Sequence, residues 1–174
     1  MPEKQTTYDA IPYPSNPFRQ TRPERLAAVA KLFGLDAPSP DACRVLELGC
    51  SMGGNLIVMA QDHPRSQFVG IDASSRQIAE GWKTVDLLGL KNLRLTHLDI
   101  LDVAADFGEF DYIISHGVFS WVPARVQNKM LEICQRHLAP NGVAYLSYNT
   151  YPGWHIRGIV RDMMMYRGAR FADP

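Results

Sequence analysis

The most informative stretch of this chain runs Val45-Leu46-Glu47-Leu48-Gly49-Cys50-Ser51-Met52-Gly53-Gly54-Asn55. Its first half is short and apolar, which is typical of a strand buried on both faces of a parallel sheet. Its second half is a glycine-rich turn, and the apolar residues that follow continue it as a helix. Gly49 allows a sharp turn, and the free N–H groups at the start of the helix point into the same space. This order of elements predicts a nucleotide-binding loop.

Glu47 indicates which kind of ligand the loop holds. A carboxylate two residues before Gly49 is unfavourable beside a pyrophosphate but attracts a cation. A ligand that carries an ammonium or a sulfonium group therefore fits better than one that carries phosphates. A dinucleotide oxidoreductase is disfavoured for this reason, and also because Ser51 stands at the middle glycine of the G-x-G-x-x-G fingerprint.

The composition is that of one ordinary globular domain. The chain has 174 residues, of which 46% are apolar and 21% charged, enough for a single sizeable core. Its formal net charge of zero does not indicate the excess of basic residues that is typical of proteins that bind nucleic acid. No apolar run reaches membrane-spanning length and the N-terminus is unlike a signal peptide, so we expect no membrane association. Three cysteines without C-x-x-C spacing predict a reduced, cytoplasmic compartment.

The first residues of the chain are polar and interrupted by proline. We expect residues 1–20 to form an N-terminal arm and residues 21–174 to form the folded domain. The arm is either a surface segment or a segment that folds over the mouth of the nucleotide site, with its tyrosines as flat contacts. The motif Thr21-Arg22-Pro23-Glu24 predicts a capping box that opens the first helix.

Apolar strands alternate with helices along the rest of the chain. The strands are predicted at 43–48, 67–72, 93–98, 110–116 and 143–149. This alternation predicts an α/β fold with a doubly wound parallel sheet and right-handed crossovers. Ligands of such sheets bind at the carboxyl ends of the strands. A last helix, about 155–167, is expected to turn its isoleucine and methionine residues towards the core.

Acidic residues end the second and third predicted strands. Asp72 stands where a carboxylate can accept both hydroxyls of a ribose. Asp99, with Ile100, offers an acceptor and an apolar face for the amino group and ring of an adenine. Either acid alone is equally well explained as a solvated turn residue or a helix cap. Together with Glu47 and the glycine turn, however, they predict a nucleoside site.

These motifs resemble those of the class I S-adenosylmethionine-dependent methyltransferases. The resemblance covers roughly Arg44 to Asn149, and its motifs are Glu47–Gly53, Phe68–Asp72, Leu98–Ile100, Phe110–Gly117 and Leu138–Val143. It implies a Rossmann-like, mostly parallel sheet with strand order 3-2-1-4-5. The sixth and seventh strands of the family have no counterpart in this chain, so the fifth strand is expected to be an exposed edge or to pair with another chain.

A narrower resemblance involves both ends of the chain. The stretches Tyr8–Ser15 and Tyr148–His155 resemble bacterial methyltransferases that carry a C-terminal methyltransferase regulatory domain. This implies a catalytic domain, incomplete at its C-terminal side, with a regulatory domain as a partner in the full-length protein. The methyl acceptor is not readable from the residues. A small molecule or a protein is favoured over nucleic acid, because Ser115-His116-Gly117-Val118 lacks the N/D-P-P-Y/F tetrad of amino-group DNA methyltransferases.

The resemblance also implies the residues that contact S-adenosylmethionine. Glu47 and Gly49 would face its methionine part, Asp72 its ribose, and Asp99 its adenine. Ser51 replaces the middle glycine of the family loop, which we expect to be tolerated if its backbone angles are ordinary. The full set of expected cofactor contacts is Glu47, Gly49, Cys50, Ser51, Asn55, Asp72, Ala73, Gln77, Asp99, Ile100, Ser115 and His116.

Methyl transfer from a sulfonium is an in-line displacement that depends mainly on proximity and alignment. A general base is needed only if the acceptor must lose a proton, and His116 is the best candidate. The alternative is a histidine that simply bonds backbone at the end of its strand. Residues expected to border the acceptor are Tyr13, Trp121, Tyr148 and Tyr151. No residues show metal-ligand spacing. A rival hypothesis is a non-catalytic module that binds S-adenosylmethionine or S-adenosylhomocysteine as a sensor.

Overall fold

The computed structural model of the protein describes residues 14–170. Its strands are β1 (Arg44–Leu48), β2 (Gln67–Asp72), β3 (Leu93–His97), β4 (Phe110–Ser115) and β5 (Leu138–Leu146). Its α-helices are α1 (Pro23–Leu32), α2 (Gly54–Asp62), α3 (Ser75–Leu88), α4 (Ala124–His137) and α5 (His155–Gly168). Short 3₁₀ turns lie at Arg19–Thr21, Pro40–Ala42, Ile100–Asp102 and Phe119–Trp121.

All five strands belong to one parallel sheet with the order β3-β2-β1-β4-β5. The central strand is β1, and its Glu47 lies in register with Gly70 of β2 and Ile114 of β4. Because every strand runs in the same direction, the carboxyl ends of all of them meet at one edge of the sheet. The predicted α/β fold and strand order are confirmed. Within residues 14–170, β5 is an edge strand with one neighbour.

The core has two layers, one on each face of the sheet. Val45 of β1 packs with Leu56 and Met59 of α2 on one face. Leu46, the next residue of β1, packs with Met130 of α4 on the other face. Successive side chains of a strand point to opposite faces, so a strand covered on both sides must be apolar throughout. The apolar run of β1 is thereby explained, and Glu47 is the exception within it.

The starts of α3 and α1 differ in whether a side chain caps them. Ser74 caps α3, since its Oγ accepts a hydrogen bond from the Gln77 N–H at 3.2 Å. The predicted capping box at the start of α1 is wrong, because Arg22 is the N-cap and no side chain caps the helix. Thr21 instead donates its hydroxyl hydrogen bond to the Phe18 carbonyl at 2.8 Å. The same hydroxyl accepts a hydrogen bond from Nδ2 of Asn55, 34 residues away, at 3.1 Å.

The expected core face of the last helix is also wrong. None of the residues of α5 is buried, and the side chains expected inside are 53–78% exposed, namely Ile156, Ile159, Val160, Met163 and Met164. A period of 3.6 shows that a helix has an apolar face but not what that face contacts. Neither α5 nor any other helix in the described part of the chain is long and apolar enough to cross a membrane.

Truncating a buried side chain on α4 tests how much this layer contributes to stability. Met130 has 0% exposure whereas its neighbour Leu131 is 49% exposed. We expect Met130→Ala to lower the free energy of unfolding by about 2–5 kcal/mol, because it removes apolar contacts and leaves a cavity. Leu131→Ala, the matched control, should stay within about 0.5 kcal/mol of the unaltered protein. Urea denaturation of both variants measures the difference, and equal values would contradict the packing described for α4.

Candidate functional site

The glycine loop is held against the end of β2 by backbone hydrogen bonds. The N–H groups of Gly49 and Cys50 both donate to the Ile71 carbonyl, at 2.9 and 3.0 Å. Gly49 has a φ of 76°, and a Cβ at this position would lie 2.6 Å from Cγ2 of Val118. Only glycine satisfies both conditions. The loop therefore follows a path that is set by close contact with the segment after β4.

Ser51 departs from the expected backbone conformation. Its φ is 53°, so it lies in the left-handed region, and the condition of ordinary backbone angles is not met. This region costs a residue with a side chain about 1–2 kcal/mol. The Ser51 N–H donates to Oδ2 of Asp72 at 2.8 Å, and this charge-assisted bond offsets part of that cost. The strained turn at Ser51 is thus hydrogen-bonded to Asp72, a residue that we expect to contact the ligand.

Asp72 joins two elements at the carboxyl edge of the sheet. Its Oδ2 accepts from the loop at Ser51, and its Oδ1 accepts from the Ser74 N–H at 2.9 Å. Each carboxylate oxygen has two lone pairs, so the group can hold the loop and still accept ribose hydroxyls. Neighbouring Ala73 is half-buried, and its carbonyl lies 3.1 Å from Nε2 of His97.

Glu47 is a carboxyl group buried in the middle of the sheet. It is 3% exposed, and its Oε1 accepts a hydrogen bond from Nδ2 of Asn55 at 2.8 Å. Among residues 14–170 its Oε2 has no hydrogen-bond partner. Burial raises the pKa of Glu47 to about 8, and the negative charge of Asp72 adds to this effect. A cationic ligand would stabilise the ionised form of this buried carboxyl group and satisfy its open oxygen.

Both the oxygen and the nitrogen of the Asn55 side-chain amide are hydrogen-bonded. It is 3% exposed, and its Oδ1 accepts from the Phe18 N–H at 2.9 Å. Its Nδ2 donates to Glu47 and to Oγ1 of Thr21. Direct contact of Asn55 with a cofactor stays a prediction. The geometry gives this residue a supporting role for Glu47.

Four further residues were expected to contact the cofactor, two of them, Asp99 and Ile100, at its adenine. Gln77 is 3% exposed, and within the described residues its Oε1 has no hydrogen-bond partner. Asp99 is exposed and its Oδ1 accepts from the Leu101 N–H at 2.8 Å, while Ile100 is half-buried. Cys50 is buried, and burial raises the pKa of its thiol. Cys50 follows β1, Gln77 lies in the first turn of α3, and Asp99 and Ile100 follow β3; their contacts with a cofactor stay a prediction.

His116 follows β4 and lies between two aromatic rings. The ring of Phe18 is 4.0 Å away between centroids, and the Tyr145 hydroxyl is 3.3 Å from Nδ1 of His116. Burial lowers the pKa of His116. Ser115, the residue before it, is fully buried and donates its hydroxyl to the Leu48 carbonyl at 3.0 Å. Its contact with a cofactor stays a prediction, since in this structure the hydroxyl joins β4 to β1.

A small cavity opens beside His116. Its volume is about 210 Å³, and it is lined by His116, Gly117, Ser120, Trp121, Ser147, Tyr148 and Asn149. Trp121 is 53% exposed and Tyr148 is 64% exposed, so these two rings lie at the rim. Tyr151 lies outside this lining and packs on His155 at 4.5 Å between ring centroids. Tyr13, the remaining expected acceptor contact, falls outside the described residues.

Three contacts of the site were not predicted from the sequence. Ser15 and Phe18 lie in the expected arm, and Thr21 was assigned to a helix cap. All three contact the loop or its neighbours. No periodicity or motif connects them with Asn55 or Gly54, because their partners are more than 30 residues away.

The raised pKa of Glu47 predicts a pH-dependent stability. Because the folded state holds the proton up to about pH 8 instead of 4.5, the contribution of Glu47 is present below about pH 4.5 and is lost as the pH rises through 8. The free energy of unfolding of the unaltered protein, minus that of Glu47→Gln, should therefore fall between pH 5 and 8 by up to about 1.4 kcal/mol per pH unit.

Urea denaturation at several pH values measures this difference. Glu80→Gln changes an exposed glutamate on α3 and is the matched control, with a pH profile close to that of the unaltered protein. Parallel profiles for the unaltered protein and Glu47→Gln would show that burial of Glu47 does not perturb its ionisation.

Comparison with known proteins shows which family the chain resembles. Residues 46–144 match the sequence model of a family described as "Methyltransferase domain". Two Rickettsia prowazekii proteins, the uncharacterized proteins RP789 and RP028, are 49% and 45% identical to the chain. Each alignment covers 95% of this chain, but only 30% of RP789 and 66% of RP028. The chain thus spans less than two thirds of either relative.

A solved structure is similar over nearly the whole chain. PKMT2 from Rickettsia typhi, in complex with AdoHcy, superposes with a TM-score of 0.85 at 44% identity. The match covers 94% of this chain and 31% of PKMT2.

The residues at the sheet edge fit the same type of cofactor. The carboxylate of Asp72 suits ribose hydroxyls, and the unsatisfied oxygen of Glu47 suits a cationic group. S-adenosylmethionine carries a ribose, an ammonium and a sulfonium, and AdoHcy is what remains of it after methyl transfer. The chain therefore belongs to the methyltransferase domain family, within the class I methyltransferases that use S-adenosylmethionine.

Proposed function

We propose that this chain is the catalytic domain of an enzyme that methylates an acceptor bound in the cavity beside His116. The observation that carries the proposal is the arrangement at the sheet edge. Glu47 and Asp72 lie beside the glycine loop, near the carboxyl ends of β1 and β2. The His116 cavity opens at the carboxyl end of β4, which is the other neighbour of β1. This arrangement supports a cofactor site and an acceptor site that adjoin each other.

The residues of the chain would act mainly by positioning. When bound, S-adenosylmethionine supplies an electrophilic methyl carbon whose bond to sulfur breaks with both electrons remaining on sulfur. Asp72 would hold the ribose and Glu47 the cationic half, so that the methyl group faces the cavity. Alignment of this kind can contribute about 7–11 kcal/mol to lowering a barrier.

His116 would accept a proton where the acceptor has to lose one. Its lowered pKa keeps the imidazole neutral at neutral pH, which is the form that a general base requires. Phe18 and Tyr145 restrict the orientation of its ring. Trp121 and Tyr148 at the rim would supply flat contacts to the acceptor, and Tyr13 and Tyr151 are proposed as more peripheral contacts.

The whole protein is proposed to be a longer, cytoplasmic bacterial enzyme with a C-terminal regulatory domain. Two stretches support this subfamily, Tyr8–Ser15 and Tyr148–His155, as do relatives of which the chain covers 30–66%. Residues 1–20 would be an arm and residues 21–174 the catalytic domain. Buried free thiols at Cys43, Cys50 and Cys134 support a reducing compartment. A net charge of zero favours a small molecule or a protein over nucleic acid as the acceptor.

A second candidate function is a sensor that binds the cofactor without transferring its methyl group. The open rim of the cavity favours it, because Trp121 and Tyr148 are more than half exposed and an acceptor would be poorly enclosed. A sensor and an enzyme share the cofactor site. They differ in turnover.

Calorimetric titration with S-adenosylmethionine, S-adenosylhomocysteine and NAD⁺ tests the cofactor site. We expect the first two to bind with micromolar affinity and NAD⁺ not to bind, because Glu47 disfavours a pyrophosphate. Binding of NAD⁺ alone would contradict the proposal.

A second experiment measures turnover, as the S-adenosylhomocysteine released when candidate amines, hydroxyl compounds and proteins are added as acceptors. His116→Asn should lower kcat at least about 10-fold for a hydroxyl acceptor without changing cofactor affinity, and binding with no turnover on any acceptor would favour the sensor.

Asp72→Ala tests the assignment of the ribose. We expect it to weaken S-adenosylhomocysteine binding by about 10- to 100-fold, since it removes an ionised acceptor for two hydroxyls. Asp111→Ala is the matched control, because Asp111 also accepts a backbone N–H, from Arg44 at 2.6 Å, but at the opposite edge of the sheet. It should lower stability and leave affinity unchanged. Equal affinities for both variants would exclude Asp72 from the site.

A further inference from the structure

The N-terminal segment, residues 15–21, lies across the glycine loop and is here named the arm strap. Oγ of Ser15 accepts the Gly54 N–H at 2.7 Å, so the strap caps the first turn of α2 from a distance of 39 residues. A Cβ at Gly54 would lie 2.6 Å from the Ser15 carbonyl oxygen and 2.9 Å from its Oγ. The backbone of the strap therefore reaches the loop only because residue 54 is glycine.

Further contacts hold the strap at its centre and at its C-terminal end. At its centre the Phe18 ring lies against His116, 4.0 Å between centroids. At its end Thr21 has 0% exposure. Arg22, the next residue, pairs with Asp62 at the end of α2 and with Glu24, each at 2.7 Å. The strap thus contacts the first turn of α2, Arg22 after it contacts the last residue of α2, and Phe18 lies beside His116.

Contacts with the strap determine which way the Asn55 amide points. The Phe18 N–H donates to Oδ1 of Asn55 at 2.9 Å. The Thr21 hydroxyl donates its proton to the Phe18 carbonyl and accepts from Nδ2 of Asn55 at 3.1 Å. An amide held in this way at its oxygen and at its NH₂ group directs the second N–H of that group to Oε1 of Glu47, at 2.8 Å. Without the strap, the Glu47 carboxyl alone would orient the Asn55 amide.

We propose that the arm strap is a positioning element of the cofactor site, which orients Asn55 towards the Glu47 carboxylate and closes over the cationic half of the bound cofactor. The inference rests on the proposed function, because it assigns to Glu47 the cationic half of S-adenosylmethionine. Phe18 and Thr21 are its positioning residues.

The charges around Glu47 explain why this orientation matters. Burial and the carboxylate of Asp72 raise the pKa of Glu47, whereas the Asn55 hydrogen bond lowers it. The Cys50 thiol is the other titratable group that interacts with Glu47. A docked strap therefore favours the ionised carboxylate that attracts a cation. By linkage, a bound cofactor must in turn favour the docked strap by the same free energy.

Two substitutions remove the strap contacts in different ways. Gly54→Ala places a methyl group against the Ser15 backbone, although alanine suits a helix. Thr21→Val removes the hydroxyl that accepts from Nδ2 of Asn55, and Thr21→Ser retains it. Gly168→Ala is the matched control, since nothing lies within 4 Å of a Cβ at that position.

Titration with S-adenosylhomocysteine measures the affinity of each variant. We expect the affinity to fall at least about 10-fold for Gly54→Ala and about 3- to 10-fold for Thr21→Val, which corresponds to the loss of one or two hydrogen bonds. Thr21→Ser and Gly168→Ala should bind like the unaltered chain.

Limited trypsin digestion supplies a second measurement that does not depend on activity. Arg19 is an exposed trypsin site within the strap, and Arg170 is an exposed site distant from the loop. Saturating S-adenosylhomocysteine should slow cleavage after Arg19 at least about 5-fold, as linkage requires, and leave cleavage after Arg170 unchanged. In Gly54→Ala, cleavage after Arg19 should already be fast and insensitive to the ligand.

The outcomes separate this inference from the proposed function. If the unaltered chain binds S-adenosylhomocysteine while Thr21→Val and Gly54→Ala bind equally well, the strap has no positioning role and the cofactor assignment stands. If Thr21→Ser binds as weakly as Thr21→Val, the hydroxyl is not what matters and the inference is overturned. If the unaltered chain does not bind, the proposed function fails, and the inference fails with it. Should Gly54→Ala not fold, the Thr21 pair and the digestion decide.

Discussion

A single buried hydrogen bond, from Nδ2 of Asn55 to Oε1 of Glu47 at 2.8 Å, links the main parts of the site. Glu47 belongs to the central strand, Asn55 to the helix after the glycine loop, and the groups that orient Asn55 to the N-terminal segment. A carboxyl group that is 3% exposed is unfavourable unless it is paired or protonated. The surrounding elements satisfy one of its oxygens, and the second is open to a cationic group. The position of this carboxyl therefore explains both the supporting contacts and the type of ligand.

The parallel sheet brings the remaining contacts together. Glu47, Asp72 and His116 come from three neighbouring strands or from the residues that follow them, and all lie at one edge because the strands run in the same direction. The Ile71 carbonyl and the Asp72 carboxylate together bind three successive N–H groups of the loop. This explains how a serine can occupy a left-handed position that the family motif gives to glycine. The loop is stable because the end of β2 holds it, not because its own residues prefer that shape.

The proposed acceptor side of the site is less enclosed than the proposed cofactor side. His116 is held by Phe18 and Tyr145, yet the rim residues Trp121 and Tyr148 are mostly exposed. The apolar residues of α5 are exposed as well, and β5 has a neighbour on one side in the described part of the chain. The residues proposed to hold S-adenosylmethionine, which all such enzymes share, are thus largely buried. The residues proposed to hold the acceptor, which differs between such enzymes, are largely exposed.

The sequence alone determined the elements whose signals are local. The glycine loop, the acids at the strand ends and the alternation of strands with helices are short-range patterns, and they predicted the sheet, the cofactor and the edge at which the site lies. Tertiary structure alone decided the backbone of Ser51, the exposure of α5 and the partners of Thr21 and Asn55. The contacts of Thr21 with Asn55 and of Ser15 with Gly54 join residues 34 and 39 positions apart. Periodicity and spacing describe which side chains share a face, but a hydrogen bond between distant segments exists only once packing has brought both segments to the same place.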